Sequence, residues 1–204
     1  MRKVTIDELR DLASAARDCI WKAAKAYNRE PKIYLHWTAG HYFQKFDEYH
    51  INITGNGDVW VTDDNLALTL PHTWKRNSGA VGITLCCGYK SGSYSLGDEP
   101  PTPEQIEAMA MAIVAVADGL WLTIDKNHVL THGEAANNED GYYDAHLPYA
   151  WWNDGYGDGN TRGDLEYLGT DESPKYNPRA TDGSRGGDVL RGKANWYRNT
   201  WAKK

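Results

Sequence analysis

Two histidines in this sequence each close a short apolar run and are followed at once by a turn. His36 ends Lys32-Ile33-Tyr34-Leu35 and precedes Trp37-Thr38-Ala39-Gly40; His132 ends Val129-Leu130-Thr131 and precedes Gly133-Glu134. A strand that ends in a polar side chain and then turns delivers that side chain to a cleft. One such histidine is more often structural than a ligand, so the pairing carries the inference. A third stretch, Thr161-Arg162-Gly163-Asp164, offers a carboxylate with a cation two residues before it. Two histidines and one carboxylate are the protein ligands of an open, catalytic zinc site, whose fourth position is left to water. His36 and His132 are too far apart in sequence to share a helical turn. They must meet on adjacent strands of one sheet.

Other carboxylates compete for the third place. Glu134 lies two residues past His132, where the strand has already turned. Asp140, Asp144, Asp154 and Asp158 sit among Gly and Asn, where Asp is common as a turn former. Asp188 follows Gly186-Gly187 just before an apolar run, the context of a helix N-cap.

The elements that must carry these residues can be read from periodicity. In the first strand Ile33 and Leu35 face one way, Tyr34 and His36 the other. Ahead of it a helix is expected over 6–27. It opens on the capping box Thr5-Ile6-Asp7-Glu8 and carries Leu9, Leu12, Ala13, Ala16, Ile20, Ala23, Ala24 and Tyr27 at helical spacing. Cys19 should lie near its buried face as an inert core thiol. Residues 48–54 alternate like a strand, with Tyr49 on the face of Ile51 and Ile53, and residues 59–62 return after Gly55-Asn56-Gly57-Asp58. By this alternation alone Tyr49 is a core tyrosine and His50 points away from it. A polar loop from Leu70 leads into Ala80-Val81-Gly82-Ile83-Thr84-Leu85-Cys86-Cys87, a buried central strand in which Gly82 implies close packing against the backbone. Thr102-Pro103-Glu104-Gln105 starts a second long helix with an apolar stripe from Ile106 to Trp121. Residues 137–160 show no period and are rich in Asp, Asn, Gly, Tyr and Trp; a terminal helix is expected over about 188–203. The expected fold is α/β: a single domain over 1–204, a central mixed β-sheet flanked by helices, and a zinc site in a cleft at the strand ends.

The 204 residues suffice for one domain with a real core. A net charge of -6 argues against a nucleic-acid partner, which needs a basic footprint. No apolar run reaches membrane-spanning length. The first ten residues carry charges of both signs and no apolar signal core, so synthesis in a cytoplasm is expected. Three cysteines, with Cys86 and Cys87 adjacent, do not make a disulfide framework. Nine Trp and thirteen Tyr against two Phe suit a surface that stacks on sugars or peptides.

Taken in order, Leu35-His36-Trp37-Thr38-Ala39, Tyr49-His50, His72-Thr73-Trp74 with Asn77, Val81-Gly82-Ile83, Thr131-His132-Gly133-Glu134 and Arg162-Gly163-Asp164 resemble the zinc-dependent N-acetylmuramoyl-L-alanine amidases of the amidase-2 and peptidoglycan-recognition superfamily. The resemblance spans about 32–168 and is nearest the phage endolysin branch. It implies one zinc per chain, held by His36, His132 and Asp164. It implies catalytic support from Tyr49 and Arg162, with His72, Asn77, Trp37 and Thr38 lining the substrate groove. Glu134 is read as either a general base or an exposed glutamate; His41, His128 and His146 are read as surface residues. The implied reaction is hydrolysis of the amide between muramic acid and L-alanine in peptidoglycan, by a monomer that acts on the wall after release from the host cytoplasm. Three features depart from the family pattern: Arg162 stands for a lysine, Thr84 stands where intracellular recycling members carry a catalytic Glu, and the gap before Asp164 is long. A non-catalytic peptidoglycan-binding module of the same fold, another zinc peptidase, or a purely structural use of the three residues are the competing readings.

Overall fold

The computed structural model describes residues 1–92, 94–136, 139–140 and 163–203. Its strands are β1 (Arg2–Lys3), β2 (Lys32–Trp37), β3 (Ile51–Ile53), β4 (Val59–Val61), β5 (Ala80–Leu85) and β6 (Val129–Thr131); its helices are α1 (Ile6–Lys25), α2 (Pro103–Leu120), α3 (His132–Ala136) and α4 (Gly186–Trp201). The six strands form one mixed sheet in the order β1-β4-β3-β5-β2-β6. The four strands β3, β5, β2 and β6 run parallel, and β4 and β1 close one edge antiparallel. The fold is α/β, as the alternation of apolar runs and amphipathic helices implies.

The pleat sorts the sheet's two faces. Ile33, Leu35, Ile51, Ile53, Val81, Ile83 and Leu85 join the main core with Leu9, Ala13 and Ile20 of α1, most of α2, and Leu190 and Ala194 of α4. The alternate positions, Tyr34, His36, Gly82, Thr84 and Asn52, turn to the opposite face. All six residues of β2 and of β5 are buried, so both faces are covered. The polar face is where the histidines lie.

Both long helices start on the signals read from sequence. Thr5 and Glu8 complete a reciprocal capping box at α1, and Thr102 and Gln105 complete one at α2 with Pro103 in the first turn. Gln105 also reaches the sheet, donating to the carbonyls of Ile53 and Cys86 at 3.0 and 2.9 Å.

Several expectations need correction. Cys19 is exposed, because Leu9, Ala13, Ala16, Ile20 and Ala24 hold the buried stripe of α1 and Cys19 lies a ~100° turn away from Ile20. Tyr27 falls beyond the end of α1 and is exposed. Trp121 is not part of the α2 stripe. It caps the helix in the left-handed conformation, at φ 60°, and its exposed ring lies 3.8 Å under the Arg17 guanidinium. The strand expected from residue 48 begins only at Ile51. The Asn52 side chain bonds both the N–H and the carbonyl of Phe46, at 2.9 and 3.0 Å, and the Thr62 hydroxyl donates to the Tyr49 carbonyl at 2.6 Å. These side-chain bonds fold 46–50 into a turn where ladder bonds would have extended it. Asp188 is not the N-cap of α4. Arg185 holds that position, and Asp188 sits in the first turn, where it accepts from Arg191 at 2.6 Å.

Candidate metal centre and cleft

The parallel register of β2 and β6 pairs Leu35 with Thr131, so His36 and His132 leave the same end of adjacent strands. Their Nδ1 atoms lie 3.1 Å apart. Oδ2 of Asp164 is 3.0 Å from Nδ1 of His132 and 3.4 Å from Nδ1 of His36. All three residues are buried, and together they form a cluster that could hold a metal ion. A tetrahedral zinc with bonds of about 2.05 Å spaces its ligand atoms about 3.3 Å apart. The three separations in this chain match the face of such a tetrahedron, and the donor set of two imidazoles and one carboxylate suits zinc chemically.

Each ligand is placed by local structure. His132 is the first residue of α3 rather than part of a turn. Thr131 and Glu134 cap that helix reciprocally: the Glu134 N–H donates to the Thr131 hydroxyl at 3.1 Å, and the Thr131 N–H donates to Glu134 Oε2 at 2.9 Å. The Thr-x-x-Glu spacing that signals this cap is present in the sequence. Asp164 is held by Leu165, which takes φ 60° and buries its side chain in the main core. The α4 start packs close to this bend, since a Cβ on Gly186 would lie 2.0 Å from the Leu165 carbonyl oxygen. Burial alone would raise the Asp164 pKa. The His132 and His36 imidazoles beside it outweigh that and hold the carboxyl well below the usual range, so it is anionic.

The triad opens onto a cleft of about 420 Å³ lined by His132 and Asp164 together with Trp37, Thr38, Tyr49, His72, Asn77 and others. Every groove residue expected from the sequence thus reaches one wall. Tyr49 is brought there by the turn before β3, with its ring centroid 5.1 Å from that of His36. His72 packs edge-on to His36 at 5.3 Å and presses against the β5 backbone, where a Cβ on Gly82 would meet its ring at 2.7 Å. That is the close packing which Gly82 announced. Burial, then the imidazoles of His36, His50 and His132, keep the His72 pKa well below the ordinary histidine value, so this ring is neutral. Asn77 braces the same loop by accepting from the Thr73 N–H at 2.7 Å. Ala39, Phe46, Glu48, Pro71 and Trp74 complete the wall. Sequence reasoning missed Phe46 and Glu48: the first carries no periodic signal, the alternation over 48–54 puts the second in a strand, and the turn that aims them is made by Asn52.

Other candidates lie elsewhere. His50 accepts from the Gly82 N–H at 3.0 Å and bonds the Leu68 carbonyl at 2.7 Å, so it ties β5 to the loop before His72. Glu134 is fully buried, and its carboxylate is engaged by Arg191 at 2.7 and 2.8 Å as well as by the α3 cap. It is neither an exposed glutamate nor among the cleft residues, and this geometry gives it no access to substrate. Thr84, beside His36 in the β2–β5 register, is buried and offers no carboxylate. His41 is exposed on the surface and bonds Glu99 at 2.6 Å, while His128 is largely buried and bonds Glu30 at 2.7 Å. Arg162, His146 and nearly all of the aromatic stretch 137–160 lie outside the described residues.

A family model for N-acetylmuramoyl-L-alanine amidases, Amidase_2, matches residues 18–144. The chain belongs to this amidase family. The match covers more than half of the chain and takes in the buried His36 and, at the cleft, Tyr49, His72, Asn77 and His132. Asp164 lies beyond the matched stretch, so its place beside the two histidines rests on the geometry alone. No curated protein and no solved structure matches the chain. Membership carries peptidoglycan amidase activity in general.

Proposed function

We propose that this amidase is zinc-dependent and hydrolyses the amide between the lactyl group of N-acetylmuramic acid and the L-alanine of the peptidoglycan stem, as a lysin of the phage endolysin type. The observation that carries the reading is the set of three ligand atoms 3.0 to 3.4 Å apart at the floor of the cleft. A zinc ion held by His36, His132 and Asp164 supplies a Lewis acid and a water nucleophile at neutral pH. The remaining work falls to the protein. Tyr49 holds its hydroxyl toward the reacting carbonyl and stabilises the negative charge that grows on it. Arg162, two residues before Asp164, contributes a second positive charge to the same oxygen. Trp37, Thr38, His72 and Asn77, which line the cleft, fix the muramyl peptide over the zinc site.

Thr84 supports the endolysin branch, since the recycling branch relies on a carboxylate in that strand. Asp164 argues against a non-catalytic binding module, which would lack the third ligand. In the same reading the protein works as a monomer with one zinc. It is made in the host cytoplasm and reaches the wall after release. Among the described residues no helix is long and apolar enough to cross a membrane.

Mass spectrometry of peptidoglycan digested by the zinc-loaded protein tests the bond. The expected products are stem peptides with a free L-alanine amino terminus and glycan chains with bare lactyl carboxylates. Products cut within the glycan or between two amino acids would overturn the assignment.

A further inference from the structure

The Thr73 hydroxyl lies between two imidazoles. Its Oγ1 is 2.9 Å from Nδ1 of His72 and 3.4 Å from Nε2 of His36. Thr73 is almost fully buried, and its backbone N–H is already spent on Asn77. The hydroxyl has one proton to give, so it cannot donate to both rings. Which ring receives it is decided on the far side of His36. Nδ1 of that ring faces His132 and Asp164, and a metal ion bound there leaves the proton of the neutral imidazole on Nε2. Nε2–H of His36 then points to the Thr73 oxygen at 3.4 Å and donates to it. The Thr73 hydroxyl in turn donates to Nδ1 of His72, and the remaining proton of that neutral ring sits on Nε2. This nitrogen is buried and has no hydrogen-bond partner among the described residues, although His72 forms part of the cleft wall.

We infer that Thr73 is a positioning residue which transmits the tautomer of the metal ligand His36 to His72, so that a loaded metal site arms His72 as an Nε2–H donor for a carbonyl or carboxylate oxygen of the muramyl peptide. The inference rests on metal binding at His36 and adds to it a direction for every proton in the chain His36–Thr73–His72. A buried donor without a partner is costly and discriminates strongly in favour of a ligand that satisfies it. An Nε2–H at this position selects an acceptor oxygen, not an ammonium or a methyl group. His50 shows that a neighbouring ring is fixed in the same manner: it accepts at Nδ1 from Gly82 and so donates from Nε2 to Leu68.

The test is side-chain ¹⁵N NMR of the zinc-loaded protein, wild type, Thr73→Ser and Thr73→Val, with zinc content measured on the same samples. The expected result is a His72 ring protonated at Nε2 in the wild type and in Thr73→Ser, and loss of that fixed tautomer in Thr73→Val. Zinc affinity should fall about 10-fold in Thr73→Val, as for other groups that orient a ligand. KM for a soluble muramyl peptide should rise several-fold, up to about 10-fold, with kcat little changed. A His72 ring protonated at Nδ1 in the zinc-loaded wild type would overturn the inference while leaving the zinc site intact. So would Thr73→Val spectra and KM values equal to wild type. A wild type that holds no zinc would remove the metal reading itself, and this inference with it. Because the wild-type spectrum decides the proton positions, the outcome does not depend on whether Thr73→Val folds.

Discussion

Nδ1 of His36 and Nδ1 of His132 face each other at 3.1 Å across ninety-six residues of chain. Two neutral imidazoles in contact through ring nitrogens gain little beyond one hydrogen bond. Adding the Asp164 carboxylate at 3.0 Å from the second ring gives an arrangement that a divalent cation stabilises far more than a single shared proton does.

Asp164 and Asp188 separate ligand from scaffold. Asp164→Ala should abolish peptidoglycan release and weaken zinc binding, because it removes the one anionic ligand. Asp188→Ala should keep both and cost about 1 kcal/mol or less, since its bond is to Arg191 within the first turn of α4. Zinc content, melting temperature and soluble muropeptide release are measured side by side. Zinc retained in Asp164→Ala and lost in Asp188→Ala would invert the assignment.

Tyr49→Phe should keep zinc and fold but lower turnover by about two to three orders of magnitude, the usual effect of losing one donor to a developing oxyanion. The ring lies beside His36 at the cleft and not in the main core, so the packing loss is small. Unchanged lysis by the variant would leave Tyr49 with only a packing role.

Glu134→Gln distinguishes a structural carboxylate from a general base. The bonds to Arg191 predict a clear drop in melting temperature, since breaking a buried ion pair from one side costs about 3–5 kcal/mol at the upper end. Turnover per folded, zinc-loaded molecule should stay within a few-fold of wild type. A hundredfold loss of turnover at unchanged melting temperature would instead make Glu134 the base.

Much of this architecture was legible because it is local. The capping boxes at Thr5 and Thr102 placed α1 and α2, the strand-end histidines pointed to the buried His36–His132–Asp164 cluster, and Gly82 marked where the His72 ring would press. What escaped was set by side chains distant in sequence. Nothing near Glu134 reveals that Arg191, fifty-seven residues on, would bury its charge. The alternation around Tyr49 pointed to a strand, and Asn52 overrode it with two bonds to Phe46. The same is true of the buried Asp140, which accepts from Tyr34 and Arg76 at 2.8 Å each and ties the start of the aromatic stretch to the His72 loop. Cys19 and Trp121 were misplaced for a simpler reason: an apolar side chain next to a helical stripe is not always on it.

Acid stability should report on His50. Burial lowers its pKa to about 4 from an ordinary 6.5, with the bond to Leu68 only partly offsetting that. A histidine whose folded pKa is depressed takes up its proton earlier in the unfolded chain. The stability it supports is therefore present above pH ~6.5 and lost as pH falls toward ~4, by an amount of order 3 kcal/mol at the limit. Melting temperature followed against pH should fall less steeply through this window in His50→Gln than in wild type. Equal slopes would mean that His50 is not the group responsible.

The most direct test of the central claim is the zinc content of the dialysed protein, measured by atomic emission on wild type, His36→Ala and His132→Ala. Three ligand atoms preset at tetrahedral spacing predict close to one zinc per wild-type chain and almost none in either variant, with all three proteins folded by circular dichroism. A wild type free of zinc after loading, or full occupancy in both variants, would contradict the metal centre.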